Sequence, residues 1–235
     1  MPHRWNSHAD LRREQIESGT DLTFNNVFKP LLVERIRALN PNKLLEVGCG
    51  TGHLSKALCE SGFDVTAIEP SSGMHSVSKD VLSNSNVVLK NCGSSDLNQK
   101  GAFDLAFSHL VAHVVDDLAG FLQSVSEFLS EEGVFLFSVP HPCFYNDYKK
   151  FFGEDYSYMV PRTENVSFTI TRDPANAISG IPYHHRPLSV YLNTLIESGF
   201  RLTNFDEIFP EEEIQKLYGT KWDSPRYCLF TCQLP

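Results

Sequence analysis

The chain has no run of basic residues, no C-x-x-C pair, and no apolar stretch approaching the roughly 18 residues that a membrane helix requires. Each absence excludes a class of function. Lys and Arg number 20 against 29 Asp and Glu, a formal net charge of −9, so the electrostatic footprint of a nucleic-acid binder is missing. The expected partner is a small molecule, with no nucleic acid and no membrane. The opening residues, Met-Pro-His-Arg-Trp-Asn, lack the apolar core of a signal peptide. Six cysteines, at 49, 59, 92, 143, 228 and 232, are scattered and suggest neither a zinc ribbon nor a disulfide framework. Reduced thiols in a cytoplasmic protein are the expectation. Internal repeats and low-complexity tracts are lacking as well. At 235 residues and 41% hydrophobic, the chain can bury one full core, so one domain with an elaboration is expected.

What is present is concentrated in two segments. Residues 44–52 read Leu-Leu-Glu-Val-Gly-Cys-Gly-Thr-Gly, and residues 65–69 read Val-Thr-Ala-Ile-Glu. The first is a short apolar run that breaks into alternating glycines, Gly48, Gly50 and Gly52, as a buried parallel strand does where a ligand lies against bare backbone. The second is a buried strand ending in a carboxylate, Glu69, about where a βαβ unit delivers an acid to a ribose diol. A nucleoside-containing cofactor follows from the pair. The dinucleotide fingerprint G-x-G-x-x-G is not met, because His53 stands at its third glycine, and a Walker-type loop is excluded as well, because no phosphate-binding Lys-Ser/Thr follows. Glu46 is a charged residue at the end of an apolar strand and needs a partner, since burying it unpaired is costly.

Strand-like and helix-like segments alternate from residue 43 to about 139. Strands are expected at 43–47, 64–69, 86–91, 103–108 and 133–139, with helices at 53–61, 71–82 and 117–129; Ser71 or Ser72 is the expected cap of the second. Such alternation predicts a parallel sheet covered by helices on both faces, with the ligand beyond the carboxyl ends of the strands. After Pro140 the pattern stops. Residues 140–186 hold aromatics at 144, 145, 148, 151, 152, 156 and 158 and a short strand at 167–171, and are expected to form a cap with its own hairpin. A helix at 187–198 and two strands at 200–208 and 226–233, pairing antiparallel, close the fold. Residues 1–30 read as a helical arm over the cofactor or along the surface, and 31–235 as the main domain.

The pattern E-x-G-x-G-x-G at 46–52 resembles motif I of the class I S-adenosylmethionine-dependent methyltransferases, and further segments resemble that family in order across roughly residues 25–233. The resemblance implies a Rossmann-like fold with a mostly parallel seven-stranded sheet and a cap inserted after strand five. It implies S-adenosylmethionine as cofactor, with Glu46 organising the site around the methionyl amino group and Gly48, Cys49, Gly50 and Gly52 approaching the ligand. Glu69 and Pro70 fall in the ribose segment, Ser94, Ser95 and Asp96 in the adenine loop, and Ser108 and His109 beside the transferred methyl. At 94 the family commonly has Asp, so which side chain reaches the adenine amino group stays open. Segments 137–142 and 183–200 resemble a narrower group of bacterial small-molecule methyltransferases with varied substrates.

Methyl transfer needs alignment first and a base where the acceptor must lose a proton, a role that histidine fits near neutral pH. The candidates, in order, are His185, His141 and His184. His109 and His113 have i,i+4 spacing, but without H-E-x-x-H or a third ligand no metal is expected. Arg186 could clamp a substrate carboxylate or phosphate, or tie the cap to an acidic residue. Tyr145, Trp5 and Phe24 are candidates for lining the acceptor pocket; the cap aromatics could equally form its core or a homodimer contact. The expected activity is methyl transfer to an O or N atom of a small molecule. A non-catalytic regulatory protein that binds a nucleoside cofactor is the alternative reading, with a NAD-dependent oxidoreductase behind it.

Overall fold

The computed structural model describes residues 4–235; the first three residues of the expected arm lie outside the described residues. The chain begins with a 3-10 turn at Asn6–His8, α1 (Ala9–Glu17), a π-helical segment at Thr23–Phe28 and α2 (Lys29–Leu39). The alternating region follows: β1 (Lys43–Val47), α3 (His53–Glu60), β2 (Asp64–Ile68), α4 (Ser72–Val81), β3 (Val88–Lys90), β4 (Phe103–His109), α5 (Leu118–Phe128) and β5 (Leu129–Pro140). Next come α6 (Tyr145–Lys149), β6 (Arg162–Ile170), β7 (Asp173–His185), α7 (Leu188–Glu197), β8 (Arg201–Ile208), α8 (Glu212–Leu217) and β9 (Tyr227–Gln233). The large sheet has seven strands in the order β3-β2-β1-β4-β5-β9-β8, and β6 with β7 makes a separate two-stranded sheet. Pairs β1–β2, β2–β3 and β4–β5 are parallel, whereas β9 runs antiparallel to both β5 and β8. This is the expected mostly parallel, Rossmann-like sheet with flanking helices.

The chain divides into two compact units, 1–93 with 167–178 and 210–221, and the remainder. In the first unit β1 is buried from Leu44 to Val47, and its register sets Val47 opposite Ile68, so the two strands end level. Ser71 caps α4 by accepting from the Met74 amide at 3.2 Å, as its position before an amphipathic run predicts. In the second unit the core runs along β5 and β9. Phe137 stacks on Phe135 at 4.9 Å and on Phe230 at 4.5 Å, and all three rings are fully buried. Stacked aromatic pairs add to the area that they bury.

Three elements differ from the sequence-based expectation. Strand β3 is only Val88–Lys90, because it lies at the sheet edge with Val88 half-exposed and little packing to extend it. Strand β5 begins at Leu129, with an irregular register opposite Phe103 to Leu105 and Glu132 at φ 61°, so residues 129–132, before the strand expected at 133–139, belong to a bulged strand. The hairpin β6–β7 is far longer than the short strand expected at 167–171. Pro174, Gly180 and Pro182 in β7 mask it, since local propensity counts against a strand there. His113 lies in a turn after β4 and not in a helix, so the i,i+4 face with His109 does not form.

Candidate active site

In the first unit the glycine loop is built around the end of β2. The amides of Gly48 and Cys49 both donate to the Ile68 carbonyl, at 2.9 and 3.0 Å, which turns the chain across the neighbouring strand. The Gly52 amide donates to the Cys49 carbonyl at 2.9 Å, and Gly52 then caps α3. Gly48, Gly50 and Gly52 have φ of 77°, 55° and 79°, the left-handed region that costs a residue with a side chain about 1–2 kcal/mol. At Gly50 nothing lies within 4 Å of the place a Cβ would occupy. Among the described residues, Gly50 therefore presents bare backbone to open space.

Glu69 is held against this loop. Its Oε2 accepts from the Gly50 amide and its Oε1 from the Ser71 amide, each at 2.8 Å, and the carboxylate is buried. Its backbone is tied too, with the Asn91 side-chain amide donating to the Glu69 carbonyl at 2.7 Å. Burial raises the carboxyl above its ordinary range, while the two amides oppose the shift. Each oxygen takes one donor and keeps a second lone pair for another.

Glu46 is buried deeper, at 2% exposure, and accepts a hydrogen bond from the Ser55 hydroxyl in α3. Ser55 is the partner that the sequence demanded without naming. Among the described residues no cation pairs with Glu46, and burial pushes its carboxyl up to about 8, against the Ser55 bond and assisted by the nearby Glu69 charge.

His53 directs its Nδ1 to the Thr51 hydroxyl at 2.9 Å and its Nε2 toward Glu17 at 3.5 Å. Phe24 meets its ring edge-on at 6.5 Å, and Trp5 packs on the cluster Ala9, Met74, Val77 and Val81. Both aromatics thus sit in the N-terminal arm against α3 and α4. Cys49 is buried and Pro70 exposed.

In the second unit Ser94–Asp96 form a 3-10 turn, with Ser95 and Asp96 exposed. Ser108, near the end of β4, is buried at 2% exposure and its hydroxyl has no hydrogen-bond partner among the described residues. His109 directs Nδ1 to the Ser138 hydroxyl at 2.8 Å, and Leu110 follows at φ 53°. A left-handed, non-glycine residue at a strand end is the kind of strain that clusters at functional sites.

The candidate histidines have different surroundings. His141 Nε2 meets Glu207 Oε1 at 2.9 Å while its Nδ1 accepts from the Cys143 amide at 3.2 Å, so both nitrogens are engaged. His184 directs Nδ1 to the Thr163 hydroxyl at 2.8 Å. His185 Nε2 lies 2.8 Å from the Tyr158 carbonyl, an acceptor only, which places the proton on Nε2 and leaves the Nδ1 lone pair. Burial lowers the pKa of all three below the ordinary 6.5. Phe152 and Tyr156 meet the His185 ring edge-on at 5.6 and 5.1 Å. Tyr145 is buried beside Tyr183 and Tyr227, with ring centroids at 6.1 and 5.4 Å. The guanidinium of Arg186 donates to three backbone carbonyls in the turn after β4, Ala112, Val115 and Asp116, at 3.1, 2.6 and 2.8 Å. It clasps a turn through partners that the sequence did not indicate.

A family model described as a methyltransferase domain matches residues 25–177. The chain belongs to the methyltransferase-domain family. With its sheet order and acidic loops, it is a class I S-adenosylmethionine-dependent methyltransferase, and S-adenosylmethionine is its cofactor. A malonyl-[acyl-carrier protein] O-methyltransferase of Acetivibrio thermocellus is 35% identical over 99 residues, 40% of this chain and 34% of that protein. The chain thus spans well under two thirds of that curated relative's length. A Clostridium acetobutylicum S-adenosylmethionine-dependent methyltransferase shares the fold at a TM-score of 0.68 and 18% identity, over 99% of both chains. So does the Burkholderia thailandensis 1,6-didemethyltoxoflavin-N1-methyltransferase, with S-adenosylhomocysteine bound, at a TM-score of 0.60 and 15% identity over 100% of this chain and 90% of the other. No described helix of this methyltransferase is long and apolar enough to cross a membrane.

Proposed function

We propose that this methyltransferase acts on an oxygen or nitrogen atom of a small-molecule acceptor. The observation that carries the placement of the cofactor is Glu46, a buried carboxyl group with a hydroxyl partner and, among the described residues, no cation, next to the glycine loop. The methionyl ammonium of the cofactor supplies the missing charge, and Glu69 has the spare lone pairs for a ribose diol. Gly48, Cys49, Gly50 and Gly52 would lie along the cofactor, with Pro70 beyond the ribose acid. Ser94, Ser95 and Asp96 are proposed for adenine, and Ser108 and His109 for the neighbourhood of the reacting group.

The bound cofactor contributes a methyl group already activated on a sulfonium. The protein's own share is positioning and proton removal. His185 is the proposed base: its Nε2–H is anchored on the Tyr158 carbonyl, its Nδ1 carries the lone pair, and burial keeps the ring neutral near pH 7. His141 has no free nitrogen, which supports a structural role for it. Tyr145 is proposed as part of the acceptor's apolar wall. The O-methyltransferase and the N1-methyltransferase to which the chain is similar support an oxygen or nitrogen acceptor in equal measure.

The test is methyl transfer from labelled S-adenosylmethionine to a panel of small carboxylates, phenols and amines, with product identified by mass. Methylated product from any class carries the reading. Cofactor binding without transfer to any of them, or binding of NAD alone, removes it.

A further inference from the structure

The N-terminal arm contributes a side chain to the ribose-binding acid without touching the carboxylate. Asn6 Oδ1 accepts two hydrogen bonds from the start of α4: one from the Ser71 hydroxyl at 2.8 Å and one from the Gly73 amide at 3.2 Å. The Gly73 amide is a donor only, which requires the oxygen of the Asn6 amide to face it. The Ser71 hydroxyl accepts from the Met74 amide at 3.2 Å, so its single proton is directed to Asn6. The Ser71 backbone amide in turn donates to Glu69 Oε1 at 2.8 Å. Asn6, Ser71 and Glu69 form one chain of bonds, and the Gly50 amide closes its far end on Oε2.

The contact is built for close approach. A Cβ at Gly73 would fall 2.4 Å from the Asn6 carbonyl oxygen and 2.7 Å from its Cα, so only glycine lets the arm reach this depth. Trp5, the residue before, packs on Met74, Val77 and Val81 and fixes the arm along the same helix.

We propose that Asn6 is a positioning residue for the cofactor: through Ser71 it holds the Glu69 carboxylate in the orientation that takes the ribose hydroxyls, and the arm thereby sets cofactor selectivity. The inference rests on Glu69 as the ribose acid. Without Asn6 the Ser71 hydroxyl loses its acceptor and turns freely, the Ser71 amide follows, and one of the two donors that orient Glu69 is no longer fixed.

The experiment is calorimetric binding of S-adenosylhomocysteine and its 2′,3′-dideoxy analogue to wild type, Asn6→Ala, Asn6→Asp, Gly73→Ala and Glu69→Ala, with thermal melting of each. Wild type prefers the ligand with hydroxyls, and Glu69→Ala abolishes that preference. Asn6→Ala and Gly73→Ala reduce it by about fivefold, the size of one net hydrogen bond. Asn6→Asp, which keeps an acceptor oxygen, retains it. If Asn6→Ala and Gly73→Ala weaken both ligands equally, or neither, the arm is only structural and the inference falls. If Asn6→Ala does not fold, Gly73→Ala decides alone. A wild type without preference, or an unaffected Glu69→Ala, overturns the ribose assignment and the inference with it.

Discussion

Gly50 and Glu69 are joined by a 2.8 Å hydrogen bond from the glycine amide to Oε2, so the loop after the first strand and the acid after the second form one unit before any ligand enters. Because Oε1 is likewise fixed by the Ser71 amide, the carboxylate is preorganised and binding does not pay to order it.

Glu69→Ala is therefore expected to weaken S-adenosylhomocysteine binding by about 2 kcal/mol, the scale of charge-assisted hydrogen bonds to a diol. Isothermal calorimetry reads this directly. Unchanged affinity would remove the ribose role.

Glu46 predicts a proton. Its folded pKa is about 8 against an ordinary 4.5, so the ligand-free protein holds this group largely protonated at pH 7. The raised value means that its contribution to stability is complete below pH 4.5 and is lost as pH rises through about 8. An ammonium docking beside it favours the carboxylate, so binding at pH 7 is expected to release about one proton. Calorimetry in buffers of different ionisation enthalpy measures the release, and Glu46→Gln should abolish it. Proton-neutral binding in the wild type would break the pairing with the amino group.

Two glycines separate stability from binding. An alanine at Gly52 would place its Cβ 3.1 Å from that of Ser78 and 3.2 Å from Leu82, at φ 79°, so Gly52→Ala is expected to cost about 2 kcal/mol of stability. Gly50→Ala meets nothing within 4 Å and carries only the strain of φ 55°, about 1 kcal/mol. Its methyl enters the space kept for the cofactor, so affinity should fall more than melting temperature does. Equal losses of affinity and stability in both variants would contradict the open face of Gly50.

His185→Ala should leave cofactor affinity nearly intact and lower turnover by about a hundredfold or more. Because burial lowers the His185 pKa below 6.5, its neutral form persists as pH falls past 6.5, and wild-type kcat should hold there and drop only in stronger acid. The same shift means that stability tied to this group is lost as pH falls from 6.5 through the folded value. Full activity of His185→Ala would remove His185 as the base.

The legible parts of this protein are those governed by local rules. Strand β1, the glycine loop and Glu69 were readable because a buried strand ending in alternating glycines has few physical meanings, and Ser71 because a cap precedes its helix at a fixed offset. A hairpin in the cap was readable but its length was not, since two prolines and a glycine in β7 oppose a strand that pairing with β6 nevertheless holds. Ser55 and Asn6 had no local signal. One completes a carboxylate nine residues away, the other a turn 65 residues away, and neither spacing belongs to a helix or a strand.

By itself the sequence determined the alternating sheet, the glycine loop and the placing of two acids at strand ends, because burial periodicity, glycine conformation and strand-end carboxylates are short-range constraints; the cofactor class followed from the resemblance that these residues carry. Only the tertiary structure decided what those residues meet. Among the described residues it left Glu46 without a cation, engaged both nitrogens of His141 while leaving one on His185, and turned Arg186 onto backbone carbonyls. Hydrogen-bond partners and desolvation depend on which distant segments the packing brings together, and that choice is made by the whole core and by no single motif.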